Sequence, residues 1–129
     1  MTHHFISIDG QEGISRIVLQ HKDYNLDKKD NLDSLPAGAA VYAICGRVNG
    51  EPVNARFVGA TGNLLAAIKQ HYTDAEGNEQ LKHFMRSIKI KELLFKPMAG
   101  MEAPEMQQTL EAWENNFRPV CNEELNKVY

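Results

Sequence analysis

The dipeptide Asn49-Gly50 is the feature that most constrains this fold, because both residues tolerate the positive φ angles of a two-residue hairpin turn. It lies between two apolar runs. The first, Ala39 to Cys45, predicts a buried strand, and the second, Val53 to Val58, predicts the returning strand, which ends at Gly59. Part of the core is therefore expected to rest on an antiparallel β-hairpin.

Two helices and a third strand are predicted after the hairpin. Asn63 or Thr61 caps the first helix, whose apolar face consists of Leu64, Leu65, Ile68 and Tyr72. A second helix is predicted over Glu79 to Ser87, where apolar residues recur at helical spacing. The third strand is predicted over Lys89 to Phe95, which becomes apolar towards its end.

A last helix is predicted to begin at Pro104-Glu105, since proline suits the first turn and a negative charge suits the positive end of the helix dipole. Arg118-Pro119 ends it, because proline cannot continue the hydrogen-bond ladder. The apolar face of this helix consists of Met106, Leu110, Trp113 and Phe117.

The N-terminal segment carries two short β-like stretches, Phe5 to Ile8 and Ile14 to Leu19, separated by the turn signal Asp9-Gly10. We therefore predict an extension over residues 1–35, containing a β-hairpin, that packs on a compact domain over residues 36–129. The predicted class is α/β, an α+β sandwich in which a small three-stranded antiparallel sheet is flanked by helices.

Composition and charge fit a single domain of this kind. The chain has 129 residues, of which 43% are apolar and 24% charged, and 14 Lys+Arg against 17 Asp+Glu give a net charge of -3. This balance argues against an obligate nucleic-acid binder. Because the chain shows no membrane-length apolar run, no secretory signal and too few cysteines for a disulfide scaffold, we expect a cytoplasmic protein without a membrane partner.

Short motifs along the hairpin and the helix after it occur in a recognisable order. Ala40-Val41-Tyr42 and Phe57-Val58-Gly59 lie on the two strands, and Thr61, Asn63, Leu64, Ile68 and His71 follow. The pattern resembles the GIY-YIG endonuclease module, in which two such tripeptides precede a catalytic helix. The segment from Glu111 to Asn122, which includes Pro119, resembles the catalytic-glutamate helix and closing asparagine of that family.

The resemblance implies hydrolysis of a phosphodiester, in which a tyrosine hydroxyl assists the attacking water, an arginine stabilises the phosphoryl charge and a glutamate holds a divalent metal. This sequence departs from that pattern. The arginine position is Ala67, the second tyrosine is Phe57, and Ala40 replaces the first glycine. Of the implied catalytic residues only Tyr42 and Glu111 are present, with Glu111 as the implied metal ligand.

The missing arginine weighs heavily, because losing one preorganised charge-stabilising donor costs roughly 3 to 4 kcal/mol in comparable sites. A replacement could come only from elsewhere in the fold. Arg56 and Arg16, both on predicted strands, are the alternatives that the sequence leaves open.

Six further residues form the predicted substrate-binding set: Thr61, Asn63, His71, Lys89, Lys91 and Asn122. Each has a structural alternative. Thr61 and Asn63 suit helix capping, His71 suits a helix C-terminus, and Asn122 suits a role in fastening the C-terminal tail. Lys89 and Lys91 belong to the only basic cluster, which is either a solvated face or the place where a phosphate backbone binds.

Three hypotheses about function follow. In the first, a non-catalytic GIY-YIG-like domain binds a protein or a nucleic acid, DNA or RNA, through the former active-site groove and requires no cofactor. In the second, the chain is a divergent endonuclease that uses Mg²⁺ or Mn²⁺. In the third, it is a homo-oligomeric structural module, such as a homodimer, whose N-terminal hairpin pairs across subunits.

Overall fold

The computed structural model describes residues 13–19, 35–73, 76–87, 90–98 and 103–119. Within these ranges the elements follow one another in the order β1 (Ser15–Leu19), β2 (Ala40–Val48), β3 (Glu51–Thr61), α1 (Leu64–His71), α2 (Glu79–Arg86), β4 (Lys91–Pro97) and α3 (Ala103–Phe117). The turn between β2 and β3 is the predicted one, with φ angles of 53° at Asn49 and 79° at Gly50.

The four strands form one antiparallel sheet in the order β1-β4-β2-β3. The predicted α+β architecture is confirmed, but the predicted number of three strands is wrong. The fourth strand is β1, which pairs with β4 so that Ile17 lies opposite Leu93, and Leu19 is fully buried. The predicted strand Phe5 to Ile8 lies outside the described residues, and the division between residues 35 and 36 stays a prediction.

Side chains alternate across the strands, so the sheet has two apolar faces. On the first, which we call the α1/α2 face, Tyr42, Ile44 and Leu93 pack against residues of both helices such as Ile68 and Phe84. On the second, the α3 face, a cluster that contains Val41, Ala43 and Leu94 packs with Trp113 and Leu110 of α3. The sheet is thus the middle layer between α1 and α2 on one side and α3 on the other.

The ends of the helices explain how the chain holds α1 against the sheet. The Oδ1 atom of Asn63 accepts a hydrogen bond of 3.0 Å from the backbone N–H of Ala66, which confirms Asn63 as the N-cap. The N–H of Leu64 donates to the carbonyl of Gly38 at 2.9 Å, so the segment before β2 also supports this terminus. None of the helices in the described part of the chain is long and apolar enough to cross a membrane.

Candidate functional site

Tyr42 lies at the centre of the sheet on the α1/α2 face, with only 4% of its surface exposed. Its backbone pairs with Gly59 on one side and Phe95 on the other. The hydroxyl lies 2.6 Å from Nε2 of His71, the last residue of α1. Two residues that the sequence predicted for the site are therefore in direct contact.

Glu76 extends this contact into a chain of three side chains, which we call the Tyr–His–Glu chain. Its Oε1 atom contacts Nδ1 of His71, and its Oε2 atom accepts a hydrogen bond of 2.8 Å from the backbone N–H of Asn78. A carboxylate at Nδ1 favours the imidazole tautomer with the proton on that nitrogen. Nε2 is then the acceptor, and the Tyr42 hydroxyl donates to it.

Burial controls the protonation of Tyr42. Its removal from water, reinforced by the charge of Glu76, raises the pKa of the hydroxyl well above its ordinary value. Burial also raises the pKa of Glu76, but the hydrogen bonds from His71 and Asn78 outweigh it, so that the pKa lies below its ordinary value. In the Tyr–His–Glu chain, the neutral phenol of Tyr42 therefore lies beside the imidazole of His71, which the charged carboxylate of Glu76 orients.

Gly59 and Phe57 close the surroundings of Tyr42. A Cβ atom at position 59 would lie 2.7 Å from Cε2 of Phe57 and 3.0 Å from the Tyr42 hydroxyl, so only glycine fits between them. The Phe57 ring meets the His71 ring edge-on, with a centroid separation of 5.1 Å. Phe57, which stands where the resemblance implies a second tyrosine, thus covers the imidazole with an apolar ring.

A β-bulge places Arg56 on the same face. Ile44 pairs with Phe57 while its neighbour Cys45 pairs with Ala55, which leaves Arg56 as the extra residue of β3. Its guanidinium carbon lies 4.8 Å from the centre of the Phe84 ring of α2. Of the two strand arginines that the sequence left open, Arg56 is therefore the one on the side of Tyr42.

Arg16, the other alternative, is engaged elsewhere. Its Nε atom contacts Glu92, and its Nη2 atom donates to the carbonyl of Gly50 at 2.8 Å. Arg47 donates to the same buried carboxylate at 3.0 Å. Both arginines serve to join β1, β2 and β4 and do not supply a cation to the Tyr–His–Glu chain.

A groove lies beside Arg56 on the α1/α2 face. Its volume is about 470 Å³, and it is lined by Arg56, Glu79, Gln80, His83, Phe84 and Ser87. Below it, Nζ of Lys91 lies 5.3 Å from the Phe84 centroid and donates to the Ser87 carbonyl at 3.0 Å. We refer to this concave surface as the Arg56 groove.

Lys91 is predicted to belong to a basic surface cluster, but the structure places it in the interior. The side chain is fully buried, because position 91 alternates onto the α1/α2 face under Phe84. It is therefore not available for direct contact with a phosphate backbone. Lys89 and Asn122, predicted for the same role, lie outside the described residues.

Glu111 is not brought together with Tyr42. It lies on α3, on the opposite side of the sheet, where it is exposed and its Oε1 atom accepts a hydrogen bond of 3.1 Å from Gln107. Ala67, at the position of the implied arginine, packs against the α1/α2 core. Thr61 makes a local contact just before α1, where its hydroxyl accepts a hydrogen bond of 3.1 Å from the N–H of Asn63.

Sequence reasoning missed Glu76 and the Arg56 groove. Glu76 sits five residues after His71, just before the Asn78 N-cap of α2, and no motif marks it. No motif marks the bulge either. One local signal is the residue type at position 54, because asparagine tolerates a positive φ better than most residues do, and the φ of 49° at Asn54 coincides with the second irregularity of β3.

Within the residues that the structure describes, no group of three or more His, Cys, Asp or Glu side chains is placed to hold a metal ion. Comparison of the chain with family models, curated proteins and solved structures finds no match. The likeness to the GIY-YIG module consequently rests on the residues quoted above and remains a hypothesis.

Proposed function

We propose that the chain is a non-catalytic, GIY-YIG-like domain that binds a partner through the Arg56 groove. The observation that carries this proposal is the state of Arg56. Its Nε atom is withdrawn from solvent, and no described residue accepts a hydrogen bond from it. The guanidinium also lines the groove and forms no ion pair with a described residue, so its positive charge is available to an anionic partner.

The parts of the implied hydrolytic site support the same proposal, because they are separated. Glu111 lies on the α3 side, Ala67 supplies no cation, and burial keeps Tyr42 protonated. A water-activating centre needs these groups around one phosphate. The groove on the α1/α2 face, in contrast, offers a cation and apolar surface in one place.

The experiment that tests this proposal combines cleavage with binding. Supercoiled plasmid should remain intact with the purified chain in Mg²⁺ or Mn²⁺, while single-stranded oligonucleotides or peptides should shift the NMR signals of α2 and of Arg56. Cleavage that disappears in Glu111→Ala contradicts the non-catalytic proposal. Probes of both classes that leave the groove signals unchanged contradict the binding proposal.

The Tyr–His–Glu chain favours a second candidate, the divergent endonuclease. A hydroxyl within hydrogen-bond reach of a base, which a third group orients, is a common arrangement in enzymes that activate a nucleophile. On this candidate, plasmid cleavage should fall in His71→Ala and in Tyr42→Phe. If cleavage is unaffected by both changes, the Tyr–His–Glu chain takes no part in catalysis.

A further inference from the structure

The Arg56 guanidinium forms no ion pair with any residue of the described part of the protein. It lies against the face of Phe84, 4.8 Å from the ring centre. Arg16 and Arg47 show the usual alternative, since both contact the carboxylate of Glu92. A partly buried arginine left without such a partner is poised to accept an anion from outside.

The charges around the groove limit how many anionic groups it accepts. Arg56 and the buried Lys91 lie near the same ring, at 4.8 and 5.3 Å from its centre. Glu79 also lines the groove and is exposed, so it repels an extended run of negative charge. This balance suits one anionic group directed at Arg56.

The size and lining of the groove point to a peptide more than to a nucleic acid. A volume of about 470 Å³ lies in the range of sites for small ligands and a few side chains. Nucleic-acid interfaces are larger and strongly basic, whereas this chain carries a net charge of -3. Phe84, on the groove wall, offers apolar surface to a neighbouring side chain.

From these observations, and resting on the proposed binding function, we propose that the Arg56 groove binds a protein segment in which an acidic side chain is next to an apolar one. The carboxylate pairs with the Arg56 guanidinium, whose planar donors match a carboxylate in bidentate geometry. The apolar side chain lies against the groove wall beside Phe84.

The test uses the full chain labelled with ¹⁵N and two blocked tetrapeptides, acetyl-Gly-Glu-Leu-Gly-amide and its counterpart with glutamine in place of glutamate. The Nε–H signal of Arg56 is the direct reporter, because its burial slows exchange with water. We expect a saturable shift with the glutamate peptide and a roughly 10- to 100-fold weaker affinity for the glutamine peptide, since hydrogen bonds to charged groups are the stronger ones.

Variants of the chain supply the controls. Arg56→Gln should abolish the preference for glutamate over glutamine, with α2 amides as the reporter, and Arg56→Lys should retain part of it through its charge. Arg118→Gln, an exposed position that follows α3, should leave binding unchanged. The urea midpoint of each variant shows that it is folded, and Arg56→Lys serves for the comparison if Arg56→Gln does not fold.

The outcomes separate the two proposals. Equal binding of both peptides, or no shift at about 10 mM peptide, overturns the carboxylate assignment. If a single-stranded oligonucleotide shifts the groove signals and the peptides do not, the proposed binding function is supported, the carboxylate assignment is overturned, and the partner is a nucleic acid. If neither probe shifts them, both proposals are overturned.

Discussion

Replacing Gly59 with alanine would place a methyl group inside the contact between Tyr42 and Phe57. The new Cβ atom would lie 2.7 Å from Cε2 of Phe57 and 3.0 Å from both Cζ and the hydroxyl oxygen of Tyr42. The separation of 2.7 Å is too short for two carbon atoms, and the separations of 3.0 Å are tighter than ordinary van der Waals contacts. Tyr42 is buried and bonded to His71, so the Phe57 ring, which is partly exposed, must move.

The magnitude follows from two opposing effects. Overpacking of this kind costs about 1 to 3 kcal/mol. Any glycine-to-alanine change in a compatible backbone also gains about 0.4 to 1 kcal/mol, because it restricts the unfolded chain. Gly62→Ala is the matched control, since nothing lies within 4 Å of its added Cβ and its backbone is outside the left-handed region. The difference between the two variants isolates the overpacking cost of about 1 to 3 kcal/mol.

Urea unfolding measures this difference directly. With a slope of about 1.5 kcal/mol per molar urea, the midpoint of Gly59→Ala should lie about 0.7 to 2 M below that of Gly62→Ala. Adding Phe57→Leu should recover part of the loss, because it removes the Cε2 atom nearest to the new methyl group. Equal midpoints for Gly59→Ala and Gly62→Ala would refute the packing described around Tyr42.

Three further changes test the charges and caps. Glu76→Gln removes a carboxylate whose pKa is lower in the folded protein than in the unfolded chain. The wild type should therefore lose more stability than the variant as the pH falls from about 5 to 3. Plots of unfolding free energy against pH that run parallel for the two proteins would contradict this. Glu92→Gln should lower the free energy of unfolding by about 3 kcal/mol, because two arginines contact this buried carboxylate. Glu51→Gln is the control and should lower it by less than about 1 kcal/mol, since 59% of the Glu51 side chain is exposed. Similar urea midpoints for the two variants would count against the ion cluster around Glu92. Asn78→Ala should lower the free energy of unfolding by about 0.5 to 2 kcal/mol, because the N-cap of α2 is lost. The control Asn115→Ala, at an exposed position, should lower it by less than about 0.5 kcal/mol. Thermal or urea unfolding that ranks the two variants in the opposite order would exclude the capping role.

Local chemistry made much of the fold predictable. Asn49-Gly50 determines its own turn through the backbone angles that both residues tolerate, and Asn63 caps α1 through an atom only three residues from its partner. Pro104 and Pro119 lie in the first turn of α3 and just beyond its end, as predicted. These features depend on neighbours in the sequence, so the sequence contains their physical cause.

Non-local pairing made the rest unpredictable. The position of β1 beside β4 depends on contacts between residues 76 positions apart, such as Arg16 and Glu92. The side of the sheet that α3 covers decides that Glu111 is remote from Tyr42, and helical spacing alone does not carry that information. The contact between Glu76 and His71 spans only five positions, but no sequence motif marks a carboxylate that reaches back to the last residue of a helix.

The irregularities of β3 have a consequence for association between chains. In the described sheet β3 is an outer strand, and such a strand can template the addition of a strand from another molecule. Pro52 lacks an N–H to offer, and the register shifts opposite Cys45 interrupt the regular spacing of the backbone groups. The bulge that turns Arg56 towards the groove therefore also makes the regular addition of another strand along β3 less favourable.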